Sequence, residues 1–336
     1  MVELARRFGI TEKRKSRVST GVSLPVLLSL AAAAAFLVIG SVVSSIFAQQ
    51  TVAGLAQGAI FGSLALALVL IYRATEVINF AQGEMAMATT YVAYQLNLWG
   101  LSYWLAFFLT LVIAFVIGVV VQLAVIRPVQ HKSVLAVVII TVGLFILIDG
   151  IVIWKWGADL KFMPAPFGNT VYHLGSVAFS RQDIGVLFVS ILSVILLWLL
   201  FQFTKLGLAM RAAALRPASA SLVGVRVNWM LAIGWGLAAV LGAVAGLMTE
   251  PTVFLQPTMM QAILLYSFAA AVLGGLESPT GAVVGGLALG VFLNLIGQYV
   301  GFATSELRLP IAFAVLLVVL LVKPNGLFGR KQVRRV

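Results

Sequence analysis

The stretch GLAQGAIFGSLALALVLIYRATEVINFAQGEMAMATTYVAYQLNL, residues 54–98, decides the fold. Gly54, Gly58 and Gly62 recur every four residues, so they fall on one face of a helix. The apolar run that carries them ends at Tyr72 and Arg73, and a short polar break, Ala74 to Ile78, follows. A second helix then opens on Asn79, Phe80, Ala81, Gln82, Gly83 and Glu84, where a helix facing lipid carries aliphatic side chains. No soluble core explains that order. A polar-lined pathway through a membrane does.

The rest of the chain reads the same way. Of its 336 residues, 62% are hydrophobic and 10% charged, against roughly 25% charged in a soluble domain. Apolar runs near the roughly 20 residues that cross a bilayer recur along it. The expected class is an all-α polytopic membrane protein of about ten transmembrane helices, with little length left for a soluble domain. The chain has no cysteine, which excludes disulfides and thiolate metal sites. His131 and His173 lie far apart and lack metal-ligand neighbours, so no metal site is expected. The net charge of +12 is distributed as topology requires rather than as a nucleic-acid surface.

Residues 1–23 form a basic tail, and residues 24–48 an additional N-terminal transmembrane helix. That run exceeds the roughly 7–15-residue apolar region of a cleaved signal peptide, although Ala48 also fits the end of a weak cleavage site. The main transmembrane domain is expected over 49–330 and a C-terminal tail over 331–336. Nine further spans fall near 52–72, 79–98, 103–126, 134–153, 183–204, 229–249, 259–276, 280–300 and 307–322. Of the 22 basic residues, 18 lie on the side of the N-terminus and 4 (Lys155, Lys161, Arg181, Arg308) on the other. The positive-inside rule then predicts that both termini are cytoplasmic. The longest outer loop, 154–182, opens with Trp154 and Trp156, suited to the membrane interface, and its prolines and glycines predict turns rather than helix. The second and third spans, and the eighth and ninth, each form a hairpin around a break on the same side, which hints at an internal repeat.

Further small residues at four-residue spacing, Gly242/Gly246, Gly281/Gly285 and Gly286/Gly290, predict close helix packing. The intramembrane polar groups are more specific. An ionised side chain at a helix centre costs roughly 2.5–3.5 kcal/mol on insertion scales, yet Glu84 and Asp149 lie within spans. Asn79, Gln82, Thr89, Thr90, Thr141 and Asn294 add uncharged polar groups. Two readings stand: hydrogen bonds between helices, with Glu84 near water or Arg73, or a polar lining for a hydrophilic solute. The clustering within 78–90 favours the lining. No Ser–His pair, paired aspartates or HExxH helix is present, and no phosphate-cradling GxxxxGK[ST] loop. The chain therefore reads as a transport subunit, not an enzyme, and as not itself the part that hydrolyses ATP.

The segment KLGLAMRAAALRPASASLVGVRVN, 205–228, is basic and alanine-rich. Pro217 suits a first helical position and Gly224 a position just past a helix end. Such a short helix is marginal alone and gains stability by docking. It is either an ordinary positive-inside loop or a coupling helix seated in a cytoplasmic partner.

VINFAQGEM at 77–85 and MRAAALRPASASLVGVRVN at 210–228 resemble the permease subunits of bacterial ABC importers for branched-chain amino acids. IRP at 126–128, TVGL at 141–144, VLGGLESPTGAVVGG at 272–286 and KPNGLFG at 323–329 extend the resemblance over about 51–330. It implies a type II-like ABC importer permease architecture of the NFA-(H/Q)-GE type. The implied partners are a second permease subunit, two cytoplasmic ATPase subunits that use ATP and Mg, an external substrate-binding protein and membrane lipid. No cofactor is bound by this chain itself, and no nucleic acid. By resemblance, Arg211, Ala212, Arg216, Pro217, Ala220 and Gly224 belong to the ATPase-facing loop. Asn79, Gln82, Gly83, Glu84 and Thr141 belong at or near the translocation path, and the topology places Asn79–Glu84 at its inner end. Gly54, Gly58, Gly62, Gly274, Gly275 and Gly285 serve helix packing. Two departures stand out: the basic tail with its helix is extra, and Gln82 stands where histidine is common. The implied substrate is a branched-chain amino acid. Urea and short amides are alternatives in the same family, and a self-contained channel or secondary transporter is the rival outside it.

Overall fold

The computed structural model describes residues 35–40, 42, 44–130, 132–168, 170–174, 177–301, 305–324 and 326–329. The basic tail 1–23, most of the expected helix 24–48 and the tail 331–336 lie outside the described residues, as does His131. The architecture below is that of the compact unit Leu37–Val336.

Helix α1, Ser45–Thr75, is the axis of the unit. Ser44 caps it, its Oγ accepting the Phe47 N–H at 3.4 Å. At the far end Thr75 Oγ1 donates back to the Ile71 carbonyl at 2.9 Å, and Glu76 turns left-handed at φ 57°. The expected break between 48 and 52 does not occur. Ser44 starts the helix earlier, Gln49 and Gln50 are good helix formers, and residues 45–48 belong to this helix. Ser63 to Val69 are buried without interruption, so α1 is surrounded by protein on all sides.

Around it stand α2 (Gln82–Leu98), α3 (Tyr103–Val120), α4 (Val134–Trp156), α5 (Arg181–Phe203), α8 (Val227–Val253), α9 (Gln261–Gly274), α10 (Pro279–Tyr299) and α11 (Arg308–Val322). The last turns of α3 widen into a π-helix, Val121–Ile126, where the Arg127 N–H reaches the Gln122 carbonyl just before Pro128. Two short helices, α6 (Lys205–Leu215) and α7 (Pro217–Leu222), join α5 to α8. Among the described residues six helices are long and apolar enough to cross a membrane: α1, α3 with its π-turn, α4, α5, α8 and α10. The outward faces of α3, α4 and α5 carry exposed Phe108, Val116, Ile146, Leu147, Phe188 and Leu196, as lipid-facing surfaces do.

Glycine seams hold the centre. Cβ atoms built at Gly54 and Gly58 would meet the α10 backbone, at 2.7 Å from Val291 Cα and 2.8 Å from the Gly286 carbonyl oxygen. Gly62 lies against Val283, and Gly286 and Gly290 present the matching face. A second seam joins α9 to α10, with Gly274 against Gly281 and Gly285 against Ala270. Gly275 ends α9 at φ 103°, and Ser278 caps α10 ahead of Pro279. The C-terminal segment closes this turn: the Leu327 N–H donates to the Leu273 carbonyl at 2.8 Å and the Phe328 N–H to that of Gly274 at 3.1 Å. Gly326, at φ 75°, packs on Val272 and Gly275 too closely for a side chain.

The outer loop is more ordered than turn residues alone suggest. Strands β1 (Val171–Leu174) and β2 (Val177–Ser180) pair as an antiparallel hairpin, with Tyr172 opposite Phe179. Lys161 and Leu255 exchange both backbone hydrogen bonds, tying the loop to the chain leaving α8. Trp154 is exposed, whereas Trp156 turns inward and donates to Gln95 Oε1 at 2.9 Å.

Candidate transport site and coupling helices

The start of α2 is built by Asn79. Its Oδ1 accepts the Ala81 N–H at 3.1 Å, an Asx-type turn that aims the chain into the helix. Its Nδ2 donates to Gln82 Oε1 at 3.3 Å. Gln82 in turn donates from Nε2 to the Ala238 carbonyl of α8 at 2.9 Å. Gly242 leaves the room for that amide, since a Cβ there would sit 2.8 Å from Gln82 Nε2. On the other side Gly83 faces Leu264 and Met260. Asn79, Gln82, Gly83 and Glu84 are all buried, wedged between α8 and α9. Both amides are thus used in internal hydrogen bonds.

Glu84 differs. It is 1% exposed, and neither carboxylate oxygen has a hydrogen-bond partner within bonding geometry. Asp149 of α4 acts on it electrostatically, and Gln261 at the start of α9 is the polar side chain directed at it. Asp149 Oδ1 is likewise buried without a partner. Thr141 lies on the same helix as Asp149, buried, with its hydroxyl donating to the Val138 carbonyl at 2.9 Å. Helix α4 packs on α2, so the structure brings one acid from each into the same interior.

Sequence reasoning missed Glu250. It is 2% exposed, and its Oε1 accepts the Met163 N–H of the outer loop at 2.9 Å. Its Oε2 has no partner. The only signal was an acidic residue just past an expected span and before Pro251. Asn294 is engaged within the fold: its Nδ2 donates to Gln57 Oε1 at 2.7 Å, bridging α10 and α1.

The segment 205–228 holds two short helices separated by Arg216, which is outside helical geometry at φ −146° and ψ 76°. Thr204 caps α6 by accepting the Gly207 N–H at 3.0 Å. Pro217 is the first residue of α7. At the end of α7 the Gly224 N–H reaches the Ser221 carbonyl and the Val225 N–H that of Ala220, both at 3.0 Å. With Gly224 at φ 85°, this is a Schellman motif. Ala213 and Ala220 are buried, Ala212 is half-buried, and Arg216 and Pro217 are exposed. Leu215, Leu222 and Val223, at the ends of α6 and α7, are 71%, 88% and 78% exposed among the described residues. Arg211 points back into the bundle, its Nη1 at 3.4 Å from Gln202 Oε1. Helix α6 packs on α5, α8 and α1.

Residues 50–320 match the family described as branched-chain amino acid transport system / permease component. The high-affinity branched-chain amino acid transport system permease protein LivH of Salmonella typhimurium is 30% identical over 305 residues, covering 86% of this chain and 98% of that protein. The probable branched-chain amino acid transport permease protein LivH of Methanocaldococcus jannaschii is 32% identical over 280 residues, 79% of this chain and 87% of that protein. The permease protein BraD of Pseudomonas aeruginosa is 29% identical over 304 residues, with coverage of 86% and 98%. Among solved structures, PsaBC from Streptococcus pneumoniae in complex with Fab aligns over 87% of this chain and 96% of that chain, at 16% identity and a TM-score of 0.47. A glycine-seamed helical unit, a polar helix start and a capped pair of short helices coincide with a family match across most of the chain, and the chain belongs to the permease components of branched-chain amino acid transport systems.

Proposed function

We propose that this chain is the membrane-embedded permease subunit of an ATP-driven importer for branched-chain amino acids. The near-full-length match to permeases of that name carries the reading. In it the chain has about ten spans in a type II-like arrangement, sits in the cytoplasmic membrane with both termini inside, and pairs with a second, different permease. Two ATPase subunits use ATP and Mg beneath it, and a soluble binding protein delivers the solute from outside.

The geometry supplies a route for the work. Leu215, Leu222 and Val223 form an exposed apolar corner of the kind that seats in a partner's groove. The caps at Thr204 and Gly224 make α6 and α7 stiff enough to be pushed as units. Helix α6 bears on α8, and α8 holds the start of α2 through Ala238 and Gly242. A displacement of the corner therefore reaches Asn79–Glu84, where a polar exit lining opens when α2 and α8 part. Rocking of the two permeases gives alternating access.

The test is reconstitution. The chain is purified with its co-purifying subunits into liposomes, and leucine uptake is measured with the binding protein present. Uptake that requires ATP is the expected result. Leucine flux without ATP, or purification with no ATPase, overturns the reading in favour of a self-contained transporter.

A further inference from the structure

Between α1, α5, α6, α8 and α10 the chain leaves a half-enclosed cavity of about 550 Å³, within the size range of small-molecule pockets, roughly 300–1,000 Å³. Its walls are aliphatic and aromatic, with Leu70, Ile195, Phe201 and Leu231 among them. Ile195 and Trp198 are about half exposed on the outward side of α5. The cavity therefore opens sideways, toward the hydrocarbon that surrounds a spanning helix, rather than only at an end of the bundle.

Its polar groups are gathered at one end. Arg73, in the last turn of α1, and Arg211, on α6, are the only charged side chains lining it, and no acidic residue does so among the described residues. Gln202 and Thr280 complete that rim. Arg211 Nε is buried without a partner, and Nη1 makes only the long contact with Gln202. A buried guanidinium donor left unpaired is costly unless an anion takes it. Pro279 and Thr280 bring the first turn of the 21-residue α10 to the same rim, so the positive end of its dipole points there too. Apolar walls on the lipid side, lined at one end by arginine and by no acidic residue among the described residues, suit a lipid with an acidic headgroup. Basic pockets between membrane helices bind acidic headgroups by this layout.

We propose that this groove binds one anionic phospholipid, its acyl chain between α1 and α5 and its phosphate on Arg211 beside the start of α10. The site does not depend on which solute is carried. Because Arg211 sits on α6, a bound lipid braces the corner that meets the partner and ties that corner's position to the surrounding leaflet.

Native mass spectrometry of the detergent-purified protein, with the subunits that accompany it, tests this. Phosphatidylglycerol and phosphatidylcholine are titrated in parallel. The wild type should retain one phosphatidylglycerol in preference to phosphatidylcholine. Arg211→Gln removes the charge and should lower phosphatidylglycerol retention roughly tenfold, the scale of one charged hydrogen bond, without changing that of phosphatidylcholine. Gly234→Leu fills the apolar half. A Cβ there meets only the end of Met210, at 3.5 Å, and the rest of the side chain extends into the cavity that Gly234 lines; an unfolding midpoint close to that of the wild type checks that the variant folds, and it should lose the lipid. Equal retention of the two lipids by the wild type, or unchanged phosphatidylglycerol retention in Gly234→Leu, overturns the proposal.

Discussion

Gln82 Nε2 donates to the Ala238 carbonyl oxygen at 2.9 Å, and it reaches that oxygen through the gap that Gly242 leaves between α2 and α8. One amide and one missing methyl group are therefore a matched pair across a helix seam.

Gly242→Ala places a methyl group 2.8 Å from Gln82 Nε2. Overpacking of this kind costs about 1–3 kcal/mol. In a Gln82→Ala background the clash is gone, so the double variant should be more stable than the sum of the single effects. Thermal unfolding in detergent measures all four proteins, and strict additivity would show that the two residues do not meet.

Gly58 and Gly143 make a contrast within one chain. A Cβ at Gly58 would lie 2.8 Å from backbone atoms of Gly286 and Leu287, whereas one at Gly143 meets nothing within 4 Å. Gly58→Ala should lower the unfolding midpoint and the yield of folded protein, because backbone cannot move aside as a side chain can. Gly143→Ala should be neutral or gain up to ~1 kcal/mol of helix propensity. Similar behaviour of the two variants would remove the α1–α10 seam as the organising contact.

Glu250 anchors the outer loop through the Met163 N–H. Glu250→Ala leaves that donor bare, and hydrogen exchange at Met163 should accelerate with little change in the helix interiors. Glu250→Gln keeps an acceptor and should retain most of the protection. Protection at Met163 that survives the alanine variant would assign the loop's order to the Lys161–Leu255 pair alone.

Gly224 has open space around it but a φ of 85° that side chains with a Cβ resist. Gly224→Arg should abolish ATP-stimulated uptake while leaving membrane insertion intact. Gly224→Asn, which tolerates the left-handed region, should keep part of the uptake. Undiminished uptake in the arginine variant would sink the coupling role of α6 and α7.

Glu84→Gln keeps the shape and removes the ionisable carboxyl group from a buried position. Transport should fall more than assembly with the co-purifying subunits does, read as initial uptake rate against co-purified yield. Normal uptake would make Glu84 a purely structural residue.

Hydropathy locates the helices well: each expected span from 52–72 to 307–322 overlaps one helix of the structure. A run of apolar side chains must find lipid or protein cover, and its length sets the element. What the period of a sequence does not carry is the partner. That Gly54, Gly58 and Gly62 meet Gly286 and Gly290 depends on packing more than 200 residues away in sequence. The outer hairpin is invisible for a different reason. Its strands are four residues each, VYHL and VAFS, too short for an alternation to register. Glu250 is hidden by Pro251, which suggests a helix end, yet α8 continues to Val253. At the α2 start, polar residues are legible as unusual, but only geometry separates the bonded Asn79 and Gln82 from Glu84.

The latch of Leu327 and Phe328 on the Leu273 and Gly274 carbonyls sets an order on biosynthesis. Helix ends need partners for their last carbonyls, and α9 receives two of its partners from residues translated more than 50 positions later. The turn between α9 and α10 thus stays unfinished while the polypeptide is still being extended. The turn is closed only once residues 327 and 328 have been made, and a product cut short before Gly326 leaves the Leu273 and Gly274 carbonyls without these partners.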